Sequence, residues 1–340
     1  MSTLDWLEFP DESLTVNGLW WFEENSPELL RLPRRMEGDV RPEVWRLVGC
    51  PSGGRIRFSS DTTALSLRVD YESIEPGHNM SIVGRAGLDL YADGVPWTPA
   101  WPEAEGEQEL ELFEGVEKRE RSFEIYLPLY NPVRLLAVGV DAGAQVRPAE
   151  EFAPGEPAAF YGSSITQGGS ATRAGLSYQA QLGRMLDIDF VNLGFSGEGR
   201  GEPALARAFS EIDASVFVVD FAQNCRSADE LDSNYPPFLA IIREKHPTTP
   251  VICITPIFST AEIYGEDPPG RLSRMREAIR EAVRERGRAG DDEIVLIEGT
   301  SLLGEEDADG LVDGVHPNDI GFFRMAERLA PYVAAAQAGA

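Results

Sequence analysis

The chain has 340 residues, 42% of them hydrophobic and 26% charged, with a formal net charge of −27 from 30 basic and 57 acidic side chains. That length favours two domains, each able to bury its own core. An acidic surface of this strength repels phosphate backbones and anionic lipid, which argues against nucleic acid or a membrane as partner.

The N-terminal stretch Met1 to Glu8 has no basic flank and no apolar core of signal-peptide length. No apolar run approaches the ~18 residues that point to a bilayer-spanning helix, so a cytoplasmic protein is expected. Residues 1–145 then show short alternating runs, at Arg55–Ser59, Ala64–Tyr71, Gly87–Tyr91, Ser122–Leu129 and Val133–Val140. Apolar and polar residues alternate with a period of two between Gly, Pro and Asp punctuation, which predicts antiparallel strands and a β-sandwich. Asp93-Gly94 reads as a hairpin turn. All six tryptophans (Trp6, Trp20, Trp21, Trp45, Trp97 and Trp101) fall in the first 101 residues. Core packing together with the domain interface is the favoured reading of them, and stacking on sugar rings is the alternative.

Residues 144–158 are rich in Pro, Glu, Ala and Gly, with Pro148, Pro154 and Pro157, and mark the boundary between a domain at 1–150 and one at 151–340. Beyond it, apolar strands are expected at Ala158–Gly162, Asp189–Leu193, Val216–Phe221, Val251–Pro256 and Ile294–Glu298. Helices are expected near 176–187, 203–211, 235–246, 270–288 and 318–335. Five such units predict an α/β domain with a parallel sheet covered on both faces. Ligands bind such sheets at the carboxyl ends of the strands. The loops after Gly162, Leu193 and Phe221 and the loop around His316 all follow strands and converge on that edge.

The turn Gly162-Ser163-Ser164-Ile165-Thr166 offers two candidate hydroxyl nucleophiles, and the residues alone do not choose between Ser163 and Ser164; the other could cap the following helix. A serine needs a base to take its proton, and a carboxylate to hold that base in the right tautomer. Asp313-Gly-Val-His316 supplies both from one loop, and Asn318 is placed to cap the next helix. The glycine-rich turn Asn192–Gly199 can present backbone N–H groups to an oxyanion, and Asn224 a side-chain amide. His78 and His246 read as structural. Cys50, Cys225 and Cys253 fit no zinc spacing and read as reduced, mostly buried thiols. No metal and no cofactor are expected.

In their order these blocks resemble the SGNH (GDSL-type) hydrolases. The resemblance implies a three-layer, flavodoxin-like fold, and it selects Ser164 as nucleophile with its own N–H in the oxyanion hole. It assigns the glycine donor to Gly197, the third donor to Asn224, and the base and its carboxylate to His316 and Asp313. Gly87-Leu-Asp-Leu-Tyr91 is similar to the signature of a bacterial branch with an N-terminal β-sandwich. Two departures stand out: Ala222 replaces a glycine, and Glu198 follows Gly197, where a carboxylate turned inward would oppose an oxyanion. Glu198 is expected to point outward or to pair with Arg200.

The resulting expectation is a serine esterase that cleaves a small acyl ester, acetyl first, on a carbohydrate or glycoside through a Ser-His-Asp acyl-enzyme. The sandwich is expected to wall one side of the site. Acyl transfer to a small-molecule alcohol is one alternative and a non-catalytic carbohydrate-binding protein the other. Gly199–Ala204 resembles a degenerate dinucleotide fingerprint, but its strand ends too early. The partner expected is a small-molecule or carbohydrate ester. A homo-oligomer is compatible with the sequence, which does not read out oligomeric state.

Overall fold

Strand alternation in the first half folds as its period requires. The computed structural model describes residues 3–338 apart from 75, 76, 78, 154 and 266–269; His78 and Pro154 therefore lie outside the described residues. Two compact units are present, and both are discontinuous in sequence. The first takes the residues up to Glu37, Arg46–Phe152 and Thr172–Gly175; the second takes Gly38–Trp45, Ala153–Ala171 and the residues from Leu176 on.

The first unit holds strands β1 Leu4–Glu8, β2 Thr15–Asn17, β3 Arg55–Ser60, β4 Leu65–Tyr71, β5 Leu88–Ala92, β6 Val95–Ala100, β7 Gly106–Phe113, β8 Arg121–Tyr126, β9 Arg134–Asp141 and β10 Val146–Pro148. One sheet runs β1-β9-β4-β7 and the other β10-β3-β8-β5-β6, with β2 also on β3. The pairings are antiparallel. Alternating residues of the central strands enter a shared core, among them Ile56, Phe58, Leu67, Val69, Leu88, Leu90, Phe123, Ile125, Val138 and Val140. β5 and β6 are joined by Asp93 and Gly94, both at positive φ (52° and 75°), as a two-residue hairpin of the I′ type requires. The alternation did not reveal β6 because Pro96 and Pro99 interrupt it. β6 is an edge strand, where a missing N–H is tolerated.

The tryptophans depart from the core-packing expectation. Only Trp21 is buried, while Trp20, Trp97 and Trp101 are exposed and Trp97 stacks flat on Phe113 at 4.3 Å. Trp6 lies half-buried under the Arg68 guanidinium, 3.9 Å from its ring centroid.

β5 also explains the Gly-x-Asp-Leu-Tyr signature. Leu88 and Leu90 face the core, and Asp89 and Tyr91 alternate away from it. The buried Asp89 carboxylate accepts from Arg173 Nη1 at 3.0 and 2.9 Å and from the Gly175 N–H at 2.9 Å. Tyr91 Oη accepts from the same Arg173 nitrogen at 3.0 Å. The motif thus anchors the segment Thr172–Gly175, only a few residues beyond the serine turn.

The second unit contains β11 Ala158–Gly162, β12 Phe190–Gly194, β13 Val216–Asp220, β14 Val251–Ile254 and β15 Ile294–Ile297. They form one parallel sheet in the order β12-β11-β13-β14-β15, the flavodoxin-like arrangement. Helices Tyr178–Leu186 and Asp319–Ala338 pack together, and Pro203–Glu211, Ala228–Lys245 and Arg271–Arg288 form a second group. β11, β12, β13 and β14 are buried along their whole length, as a strand covered on both faces must be.

One helix differs from its expected span. It begins at Ala228 rather than 235, because Ser227 caps it by accepting the Glu230 N–H at 3.1 Å, and it continues through Pro236 and Pro237. His246 ends that helix, with Nε2 2.7 Å from the Ser210 carbonyl and its ring against Phe217. All three cysteines are buried and none is in a disulfide.

Replacing Asp89 by Ala strands the Arg173 guanidinium without its carboxylate. The expected loss is about 3 kcal/mol of stability, read as a lower urea midpoint; an unchanged midpoint would show that the pair contributes nothing.

Candidate active site

β11 ends at Gly162, and the chain turns at once into the short helix Ser164–Gln167. Ser163 is its N-cap: extended at φ −90°, ψ −161°, it accepts the Ile165 N–H on Oγ at 3.2 Å. That occupation leaves Ser163 fully buried and structural, while Ser164, in the first turn, is partly exposed. The helix sits so close to the sheet that two glycines are obligatory. A Cβ on Gly162 would lie 1.9 Å from Thr166 Oγ1 and 2.4 Å from the Asp220 carbonyl, and one on Gly194 would lie 2.2 Å from the Gln167 nitrogen.

On the other side, Leu311 and Pro317 form an isolated bridge, and Val312 N–H donates to the His316 carbonyl at 2.8 Å, closing the loop 311–317. Asp313 Oδ1 accepts the backbone N–H groups of Val315 and His316 at 3.1 and 2.8 Å, and Oδ2 lies 2.8 Å from His316 Nδ1. His316 Nε2 lies 2.8 Å from Ser164 Oγ. Asn318 caps the following helix through the N–H groups of Ile320 and Gly321. Burial pushes the Asp313 carboxyl up, but the hydrogen bonds from His316 and the charge it carries when protonated outweigh this and hold it below the usual carboxylate range. With Nδ1 committed to the carboxylate, Nε2 is free to take a proton from the hydroxyl.

The remaining predicted residues meet at the same edge. After β12, the Phe195 N–H donates to the Gly162 carbonyl at 3.0 Å, and the Ser196 N–H to Gln167 Oε1 at 2.9 Å. Asn224 Nδ2 donates to the Phe195 carbonyl at 2.9 Å, which uses one of its two hydrogens. Gly197 has φ +72°, and no acceptor takes its N–H among the described residues. Glu198 does turn to Arg200, at 3.4 Å, and it also pairs with Arg41. Ala222 is buried in the turn after β13, with no side-chain space at issue.

Gln167, Arg41 and Asp220 were given no part in this site by the sequence reading. Gln167 carries no motif beyond following the serines. Arg41 lies in the first half of the chain. Asp220 ends β13 with its carboxylate fully buried, and burial pushes it up to about 7, partly offset by Gln223. Burial likewise pushes the Cys225 thiol up to about 12, which makes it an inert filler. Among the described residues no group of three or more His, Cys, Asp or Glu is arranged to hold a metal ion, and no helix is long and apolar enough to cross a membrane.

A hydroxyl–imidazole–carboxylate relay at the carboxyl edge of a doubly wound sheet is an arrangement suited to acyl chemistry at esters. Residues 156–334 match the GDSL-like lipase/acylhydrolase family, and residues 4–146 match the N-terminus of the SGNH-hydrolase-type esterases. The chain belongs to the GDSL-like lipase/acylhydrolase family and is an esterase of the SGNH class.

It is 28% identical over 203 residues to a GDSL lipase of Mycobacterium tuberculosis, covering 52% of this chain and 81% of that one. A putative GDSL-like lipase from Bacteroides ovatus superposes with a TM-score of 0.90 at 29% identity over 98% of both chains. Two further structures share the fold. A salicylyl-acyltransferase from a tetracycline biosynthetic pathway has a TM-score of 0.84 at 21% identity, over 98% of this chain and 97% of that one. An acetyl xylan esterase from the rumen bacterium Butyrivibrio proteoclasticus has a TM-score of 0.66 at 14% identity, over 98% and 99%.

Asp220 makes a pH prediction. Its carboxyl keeps a proton in the folded chain up to about pH 7, whereas the unfolded chain releases it near its ordinary value of ~3.9. Between those values the native state binds more protons, so this residue lowers stability as pH rises through the window. Urea unfolding from pH 4 to 8 is expected to show that decline in the wild type and a flatter profile in Asp220→Asn. Parallel profiles would refute it.

Proposed function

We propose that the protein cleaves a small acyl ester, acetyl first, on a carbohydrate or glycoside, with Ser164 as nucleophile. The observation that carries this reading is the pair of 2.8 Å contacts from Ser164 Oγ to His316 Nε2 and from His316 Nδ1 to Asp313. Ser164 Oγ attacks the ester carbonyl carbon while its proton passes to His316 Nε2, and Asp313 stabilises the imidazolium that results. The tetrahedral oxyanion takes hydrogen bonds from the N–H groups of Ser164 and Gly197 and from the second hydrogen of Asn224 Nδ2. Collapse expels the alcohol, which leaves with the proton from His316. A water then repeats the sequence on the acyl-enzyme and releases the acid.

The sugar side of the proposal draws on the fold shared with an acetyl xylan esterase. The side chains of His316 and Asp313 are 25% and 39% exposed, which leaves room for a bulky alcohol. A second reading, transfer of the acyl group to an alcohol in place of water, rests on the fold shared with the salicylyl-acyltransferase.

Ser164→Ala is expected to lower kcat on p-nitrophenyl acetate by about 10³-fold or more. Ser163→Ala is expected to keep activity and lose about 1 kcal/mol of stability with its cap. The reverse outcome would reassign the nucleophile. Product analysis with the ester and a panel of sugar and aromatic alcohols separates the two readings: free acid as the dominant product supports hydrolysis, and new ester in excess of acid supports transfer.

A further inference from the structure

The loop that carries Gly197 is held from two sides. On the inner side Phe195 and Ser196 are tied to Gly162, Gln167 and Asn224. On the outer side two arginines grip consecutive carbonyls. Arg200 donates to the Gly197 carbonyl from Nε at 3.2 Å and from Nη2 at 3.0 Å. Arg41 donates to the Glu198 carbonyl from Nη2 at 2.8 Å. The same Arg41 guanidinium pairs with the Glu198 carboxylate through Nη1 and with Glu202 Oε1 through Nε, at 2.8 Å, and Nη2. Glu202 Oε2 in turn accepts the Arg200 N–H at 3.3 Å, and Asn234 Nδ2 donates to the Arg200 carbonyl at 2.9 Å.

The Gly197 N–H can meet an oxyanion only if the Ser196–Gly197 peptide plane stays fixed. At φ +72° with no side chain and no neighbour within 4 Å of where a Cβ would stand, nothing at Gly197 itself fixes it. The Glu198 and Gly199 N–H groups close the turn on the Phe195 carbonyl at 2.9 and 2.8 Å, and the outward Gly197 and Glu198 carbonyls are held by Arg200 and Arg41. Charge is the second constraint. Glu198 and Glu202 place two carboxylates on this loop, and a net negative charge there would oppose an oxyanion. Arg41 touches both. Arg41 spends four N–H donors in a fixed fork on one carbonyl and two carboxylates, one more than an ammonium has, so a lysine is not equivalent.

Resting on the esterase reading, we infer that Arg41, far from every motif of the site in sequence, is a positioning residue for the reaction. It locks the oxyanion loop through the Glu198 carbonyl and neutralises the Glu198 and Glu202 carboxylates beside it.

Loss of a direct oxyanion donor costs about 10²–10³-fold in kcat; a residue that acts through the loop is expected to cost less, about 10–100-fold. Arg41→Ala should therefore lower kcat by that factor with KM changed by less than about threefold, since the ground-state carbonyl uses the loop least. Combining it with Glu198→Gln should restore part of the lost kcat by removing the uncompensated charge.

Hydrogen–deuterium exchange supplies a readout independent of turnover: residues 195–201 should exchange faster in Arg41→Ala, with the rest of the second unit unchanged. Arg41→Lys, which keeps the charge without the fork, should show the same loop-restricted change at smaller amplitude. Unchanged exchange in both variants, exchange raised throughout the unit, or kcat within twofold of wild type would overturn the proposal. A wild-type chain that cleaved no ester would count against the esterase reading instead, and the exchange measurement would still decide on the clamp.

Discussion

The site depends on how closely one short helix can approach the ends of two strands. Ser164–Gln167 lies against β11 and β12 at a separation that Cβ atoms at Gly162 or Gly194 would prevent. Because the backbones meet directly, Thr166 and Gln167 reach the neighbouring segments with short polar contacts. The Thr166 carbonyl takes both Asn192 Nδ2 and Gln179 Nε2 at 2.7 Å, and Gln167 Oε1 takes the Ser196 N–H. The serine turn and the loop that carries Gly197 are therefore parts of one hydrogen-bonded body. A side chain added at either glycine would displace both at once.

Charge is arranged against the general character of the chain. The protein is strongly acidic, yet the acyl chemistry proposed for it develops negative charge at a fixed point. The carboxylates nearest that point are each engaged: Asp313 by the histidine it orients, Glu198 and Glu202 by arginines. Asp220, directly beneath the serine turn, follows a different solution, since burial pushes its carboxyl up to about 7. Its backbone carbonyl accepts the Ser163 N–H, so the neutral side chain and the turn share one peptide.

Legibility followed locality. The relay partners Asp313 and His316 are three residues apart and close a small loop with their own backbone, so the spacing carried the geometry. The parallel strands were legible because full burial leaves continuous apolar runs such as Val216–Val219. Proline hid what it is known to hide: β6 with Pro96 and Pro99, and the first turns of the helix that runs through Pro236. Core packing holds for Trp21 alone among the tryptophans, because clustering in sequence says nothing of how deeply each residue is buried. Arg41 was illegible for a deeper reason. Its partners are more than 150 positions away, and an arginine before a proline in a surface segment has no local signature of that role. The preference for Ser164 over Ser163 came from the resemblance; the residues alone left it open because a cap and a nucleophile call for the same hydroxyl, and it is the Ser163 hydroxyl that caps the helix.

The two units each contain a piece that simple halving of the chain would give to the other. Gly38–Trp45 belongs with the sheet-and-helix unit and Thr172–Gly175 with the sandwich. During synthesis the sandwich cannot complete its Asp89 anchor until the ribosome has passed Gly175, well into the next unit. Arg41 emerges among the first residues and must wait for Glu198. Neither unit can then mature as an independent vectorial step. A gene fragment cut at the linker would encode two proteins, each lacking a part made by the other, so removal of residues 1–145 takes Arg41 with it.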